Sequence, residues 1–307
     1  PPQLRDLSTV QLARRLKRAR TQVQATRNGQ AERPQGLIQA AQPLPIFIAT
    51  SPEQTSAIEQ FHANSGPFLL FGATGSGKTE VYMRCTADLL ATQGTAQALV
   101  MVPEINLTPQ LEARFKARFG AQYGEDAVVS LHSGMTPAQR LKSWLAAHSG
   151  VARIVLGTRM SVFASMPQLQ LIIVDEEHDP SYKSHEGARY SARDLAIYRG
   201  RLEGAKVMLG SATPSLESWY HSRPQSEGGR YQRLHMPSRI GGTATQAQDT
   251  AALISATLPQ VRRVDMNHQP KGCVISPPLL DAIVQRITRG EQSMVFLNRR
   301  GYAPVLS

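Results

Sequence analysis

Eight consecutive residues, Gly72-Ala73-Thr74-Gly75-Ser76-Gly77-Lys78-Thr79, fit G-x-x-x-x-G-K-[ST] without a mismatch. Glycines at 72, 75 and 77 open backbone angles closed to other residue types, so successive amide N–H groups can turn toward one anion. Lys78 adds a point charge for the β- and γ-phosphates of a nucleotide, and the Thr79 hydroxyl is a ligand that magnesium accepts. Further along, Asp175-Glu176-Glu177-His178 places acidic groups where such a phosphate chain could be attacked. Asp175 is suited to hold magnesium, largely through water, because that ion keeps much of its hydration shell. Glu176 is suited to polarise the attacking water.

These groups need rigid carriers. Pro67-Phe68-Leu69-Leu70-Phe71 and Leu171-Ile172-Ile173-Val174 are short apolar runs of buried-strand type, one before each motif. A helix is predicted to start near Lys78 and to run through Val81, Met83 and Leu89-Leu90, aiming its positive end at the phosphates. Further strands are expected at 98–102, 127–131, 152–156 and 206–209, with helices over Pro109–Phe119, Pro137–His148 and Ala192–Leu202. Alternation of this kind predicts an α/β fold whose parallel sheet is covered on both faces. Its ligands belong beyond the carboxyl ends of the strands, where both motifs fall.

Three regions are expected. Residues 1–48 hold a basic helix (Ser8 to Gln24) and a Gly-, Pro- and Gln-rich linker; 49–226 form the α/β body. From 227 to about 260 the composition predicts a loose connection. After it come an extended stretch at Val261–Met266, a helix at Pro278–Arg289 and a strand at 294–297, the opening of a second α/β unit. Ser51-Pro52 reads as a helix N-cap and first helical residue.

The net charge is +11 over 307 residues, and residues 1–48 alone carry +6, with eight Lys or Arg against Asp6 and Glu32. A basic leader on a mildly basic body predicts a polyanionic partner, most simply nucleic acid. Cys85 and Cys273 match no metal spacing or disulfide framework. No apolar stretch reaches membrane-spanning length, which together with the cysteines predicts a reducing cytoplasm and no membrane partner. The chain starts with Pro and its last segment reads as cut off in mid-domain, so an internal piece of a longer protein is expected.

Asp175-Glu176-Glu177-His178 after an apolar strand, with Gly210-Ser211-Ala212-Thr213-Pro214 downstream, resembles motifs II and III of superfamily 2 helicases. Val102-Pro103-Glu104-Ile105, Leu107-Thr108-Pro109-Gln110, Leu131-His132-Ser133-Gly134, Gly157-Thr158-Arg159 and Asn298-Arg299-Arg300-Gly301-Tyr302 extend the likeness over residues 47–307 to the PriA family of bacterial primosomal replication-restart helicases. The resemblance implies a RecA-like first helicase lobe and the start of a second. It implies an ATP- and Mg2+-dependent 3′–5′ DNA helicase that recognises stalled or branched forks and restarts replication by primosome assembly. Implied partners are single-stranded and forked DNA, other primosome proteins and single-stranded DNA-binding protein, in the bacterial cytoplasm at the nucleoid. Zinc is implied only in a region that would follow Ser307; no zinc ligand is named in this chain.

By residue, the resemblance gives Lys78, Asp175, Glu176 and His178 to catalysis and Gly72 to Thr79 to ATP. Gln54 matches a glutamine that reads adenine in many such motors, while Ser51-x-x-Gln54 also fits a helix capping box; both readings stand. Ser211 and Thr213 match a motif that couples nucleotide state to DNA, with His178 facing them. Pro103, Glu104, Thr158 and Arg159 match segments that touch the DNA backbone. The stretch from Asp179 to Tyr190 interleaves Tyr182 and Tyr190 with Lys183, His185 and Arg189, and Arg193 follows. Rings that stack on bases and cations that hold phosphates would make it a DNA-sensing loop. Two alternatives accompany this reading: a translocase that moves on DNA without unwinding it, and a non-catalytic DNA-binding or assembly module. With the facing lobe incomplete, the isolated chain is expected to hydrolyse ATP poorly and not to unwind DNA.

Overall fold

The computed structural model describes residues 49–104, 109–240, 261–270 and 272–296, together with Gln11, Arg14, Lys17 and Thr21. Those last four are helical; the rest of the predicted leading helix lies outside the described residues, as do Asn298 to Tyr302. The chain divides into two compact units, residues 1–241 and 242–307.

The first unit alternates strands and helices: α1 (Pro52–Ala63), β1 (Phe68–Gly72), α2 (Lys78–Thr92), β2 (Gln97–Met101), α3 (Pro109–Tyr123), β3 (Val128–Leu131), α4 (Pro137–Ser149), β4 (Ile154–Gly157), β5 (Leu169–Asp175), α5 (Ala192–Glu203), β6 (Lys206–Ser211), α6 (Leu216–His221) and β7 (Gln232–Met236). The seven strands form one sheet in the order β3-β4-β2-β5-β6-β1-β7, and every pair is parallel. This is a RecA-like parallel α/β sheet. Because helices cover both faces, alternate residues of one strand are buried in opposite cores, which explains the unbroken apolar runs. Phe68, Leu70, Val100, Ile154, Ile173 and Met208 face one cluster, in which Val81, Phe115 and Phe119 also lie. Leu69, Leu99, Val155, Ile172, Val174 and Leu209 face the other, with Ala192, Ala196 and Tyr182.

Local chemistry sets the helix ends. Ser51 caps α1 and Thr136 caps α4, each in a reciprocal capping box with the glutamine three residues on and with proline at the first helical position. Gly150 and Gly204 end α4 and α5 at positive φ, where a side chain would be strained.

The register brings the two motifs together. β6 lies between β1 and β5, so Gly210 pairs with Leu70 on one side and with Asp175 on the other. The phosphate loop leaves β1 beside Ser211, and the acidic run leaves β5 beside Gly210.

One boundary is corrected. The composition after 227 predicted a loose connection, yet Gln232–Met236 pairs along β1 as an edge strand, with Leu234 and Met236 fully buried. An alternation of only five residues, flanked by Gly228-Gly229 and Pro237, hid it. The first unit therefore runs past 226 to residue 241.

In the second unit, α7 (Pro277–Thr288) matches the expected helix, and Met266–His268 form a single 3-10 turn. The strand predicted at 294–297 is absent over 294–296: Met294 and Phe296 are exposed and no neighbouring strand is available among the described residues.

Candidate functional site

The loop between β1 and α2 has the geometry of an anion cradle. Gly75 and Gly77 sit at φ 83° and 82°, so the chain doubles back and delivers α2 with its amino end at the loop. Lys78, the first residue of α2, is folded onto the loop: its Nζ donates to the Gly72 carbonyl at 3.1 Å and lies 3.9 Å from Glu176 Oε1. Ser76 is buried and its Oγ has no hydrogen-bond partner among the described residues. A buried hydroxyl without a partner inside a ring of glycines is a group awaiting an acceptor, which a phosphate oxygen would supply. Thr79 follows, partly exposed at the mouth of the loop.

The acidic run is held by two tyrosines. Tyr82, one turn into α2, donates its hydroxyl to Asp175 Oδ1 at 2.9 Å; Tyr182 donates to the Asp175 backbone carbonyl at 2.7 Å. Burial raises the Asp175 carboxyl above its ordinary range, with the Tyr82 hydrogen bond pulling the other way. Burial, then the Asp175 charge, pushes both phenols well up, so each stays a donor. Gly210 is required here: a Cβ would collide with the Tyr82 hydroxyl. Glu176 is the one described non-glycine residue at positive φ, 45°. Left-handed backbone at such a residue costs about 1–3 kcal/mol. Hydrogen bonds from Glu177 N to the Gly210 carbonyl (3.0 Å) and from Asp179 N to the Glu176 carbonyl (2.8 Å) hold it there. Among the described residues no three acidic, histidine or cysteine groups form a self-sufficient metal cage. A magnesium ion that arrives on nucleotide phosphates and keeps its waters needs only Thr79 and Asp175, so the donor set fits.

Glu177, to which no motif gives a role, is the best-partnered carboxylate of the run. It is buried and accepts from Ser215 N (2.7 Å), Ser215 Oγ (3.0 Å) and Ser218 Oγ (2.8 Å), and pairs with Arg193 Nη1 at 3.3 Å. It thus ties the acidic run to the start of α6, directly after Thr213. A third acid beside a strand end was the only signal in the sequence. Its partners are 16 to 41 residues away and belong to the fold.

His178 lies between the acidic run and the end of β6. Its Nδ1 shares a hydrogen bond with Ser211 Oγ at 2.8 Å and lies 3.7 Å from Glu176 Oε2; its Nε2 is 3.3 Å from Thr213 Oγ1. Ser211 also accepts from Thr213 N at 2.9 Å. Glu176, His178, Ser211 and Thr213 are one connected network.

Several expected contacts are corrected. Gln54 is buried and bonded through both amide atoms: Oε1 accepts from Ser51 N at 2.9 Å, and Nε2 donates to the Ser76 and Gly77 carbonyls at 3.3 Å each. It caps α1 and braces the phosphate loop. Tyr182 is 2% exposed and cannot stack on a nucleobase; its ring is core and its hydroxyl supports Asp175. Pro103 and Thr158 are buried as well, so neither side chain offers a DNA contact. Arg159 donates through Nη1 to the Ser181 and Lys183 carbonyls at 3.3 and 2.9 Å and thus positions the following loop. Arg193 pairs with Glu177, Asp194 and Glu217. Glu104 is exposed and accepts from Ser133 Oγ at 2.9 Å. Lys183, His185 and Arg189 are exposed, and Tyr190 is partly so, edge-on to Phe163. The loop keeps its cations on the surface but one of its two rings inside.

A family model for DEAD/DEAH box helicases matches residues 51–220. Over 261 residues the chain is 40% identical to the replication restart protein PriA of Haemophilus influenzae, which covers 84% of this chain and 32% of that protein. The PriA proteins of Chlamydia pneumoniae and Bacillus subtilis are 41% and 36% identical, over 82% and 87% of this chain and 32% and 31% of theirs. The chain thus spans about a third of the length of these relatives. With a phosphate loop, an acidic strand end and a linked serine–threonine motif on a RecA-like sheet, this chain belongs to the DEAD/DEAH box helicase family, and within it is similar to the replication restart proteins.

Proposed function

We propose that this chain is the nucleotide-hydrolysing lobe of an ATP- and Mg2+-dependent DNA helicase that moves 3′ to 5′ and acts at stalled or branched replication forks, where it restarts replication by primosome assembly. The observation that carries the reading is the shared register of β1, β6 and β5, which sets Lys78, Asp175, Glu176 and His178 around one point. Loop amides, Ser76 and Lys78 bind the phosphates; Thr79 and Asp175 hold the ion that neutralises them. Glu176 orients water toward the γ-phosphate and takes its proton. Lys78 Nζ, 3.9 Å from Glu176 Oε1, is a cation for which phosphate oxygens would compete.

The network from Glu176 through His178 to Ser211 and Thr213 links the water-orienting carboxylate to the segment carrying α6. Coupling to DNA belongs to the surface reached from the same run, through Lys183 and Arg189. Similarity to the replication restart proteins supports forked DNA as substrate and other primosome proteins and single-stranded DNA-binding protein as partners; a role on chromosomal DNA would put the protein in the cytoplasm, at the nucleoid. Strand displacement on fluorescent forks tests the reading with the full-length protein. Unwinding that needs ATP, Mg2+ and a 3′ single-stranded tail is expected. ATP consumption on plain duplex without displacement on any fork would assign a translocase instead.

A further inference from the structure

Resting on the ATP reading above, we infer that Arg239 is a nucleotide-binding residue, a guanidinium that the strap following β7 carries to the mouth of the phosphate loop. The strap is fastened at three points. Met236 at the end of β7 accepts from Ala73 N at 3.1 Å, and Ile240 N donates to the Gly75 carbonyl at 2.9 Å. Between them, Ser238 gives its backbone N–H and its hydroxyl to the two oxygens of Glu53, at 3.1 and 2.7 Å. Glu53 stands in the first turn of α1, next to the Gln54 that braces the loop from below.

Arg239 is the residue this arrangement leaves free. Its neighbours on both sides are bonded, so its backbone cannot swing away from the loop, yet no hydrogen bond or ion pair engages its guanidinium among the described residues. Its Cγ lies 4.0 Å from the point where a Cβ on Gly75 would sit, and Gly75 is an exposed apex of the cradle. The Ile240 side chain meanwhile occupies the space beside Gly77, where an added Cβ would strike both it and the Gln54 amide. Glycine at 77 therefore serves the strap as well as the phosphate chain. A planar, permanently charged group pre-positioned at the rim suits bidentate hydrogen bonding to phosphate oxygens. The strap belongs to the same compact unit as the loop, so this cation reaches the nucleotide without help from another lobe.

The test is equilibrium binding of ribose-labelled fluorescent ADP and ATP analogues to the full-length protein, wild type against Arg239→Ala, Arg239→Lys and Lys78→Ala, at low and high salt. Arg239→Ala should weaken affinity roughly tenfold to a hundredfold, the loss of one or two charge-assisted hydrogen bonds. Arg239→Lys should recover part of it, and the wild-type advantage should shrink in high salt. Arg239 is exposed and unbonded, so the melting temperature should not move. Wild-type affinity in Arg239→Ala, with Lys78→Ala still impaired, overturns the inference and leaves the ATP reading standing. Failure of the wild type to bind either analogue overturns both.

Discussion

Tyr82 donates its hydroxyl to Asp175 Oδ1 at 2.9 Å across 93 residues of sequence, joining the helix that starts at Lys78 to the strand end that carries the acidic run. The contact passes over Gly210, the only residue type that leaves room for it. Three motifs that are separate in the chain become one rigid object through this bond. Asp175 is thereby aimed by the same helix whose amino end faces the phosphates.

Gly210→Ala should destabilise the first unit by about 1–3 kcal/mol, as overpacking a filled interior does. Tyr82→Phe removes the hydroxyl that the new methyl would strike, so adding it to Gly210→Ala should recover part of the loss. Denaturant melts of both single variants and the double variant check this; strictly additive losses would show that the two residues do not meet.

Glu177→Ala should cost about 1–3 kcal/mol, because it leaves the Ser215 and Ser218 donors without their acceptor, while Arg193 keeps Asp194 and Ser215 Oγ as partners. Ser218→Ala removes one of these bonds and should cost about 1 kcal/mol. Thermal and denaturant unfolding give both numbers. A Glu177→Ala protein as stable as wild type would remove the anchoring role.

The surface cations of the 179–190 segment predict a separation of effects. Arg189→Ala and Lys183→Ala should each lower the DNA affinity that activates hydrolysis and reduce the salt slope of DNA binding by about one. Nucleotide affinity should stay unchanged. Tyr182→Phe should instead lower stability by about 1 kcal/mol, the worth of its bond to the Asp175 carbonyl, without a specific DNA defect. Fluorescence anisotropy with labelled single strands at several salt concentrations distinguishes the two classes.

What was legible in the sequence follows from the range of the interactions involved. The phosphate loop, its flanking strand and helix and the acidic strand end are local patterns, and each lies within a residue or two of its expected place. Their convergence follows from parallel-sheet topology. Ser51 and Gln54 show the limit of local evidence: one pattern fits a helix cap and a base reader, and the burial of the amide against Ser76 and Gly77 shows the cap together with a brace that no spacing predicts. Tyr182 shows the opposite error, since tyrosine among cations looks like a stacking surface until its ring proves to be core. Tyr82 and Glu177 could not be assigned, because their partners are set by strand order rather than spacing. β7 was missed because an edge strand of five residues between turn signals carries little periodicity.

The most direct test is ATP hydrolysis by the full-length protein with and without single-stranded DNA, comparing wild type with Glu176→Gln, alongside nucleotide binding by both. The expected result is DNA-stimulated turnover in the wild type and a loss of roughly a hundredfold or more in Glu176→Gln, the usual weight of a general base, with nucleotide affinity retained. Undiminished turnover in Glu176→Gln, or turnover indifferent to DNA, would contradict a DNA-coupled motor whose water is oriented by this carboxylate.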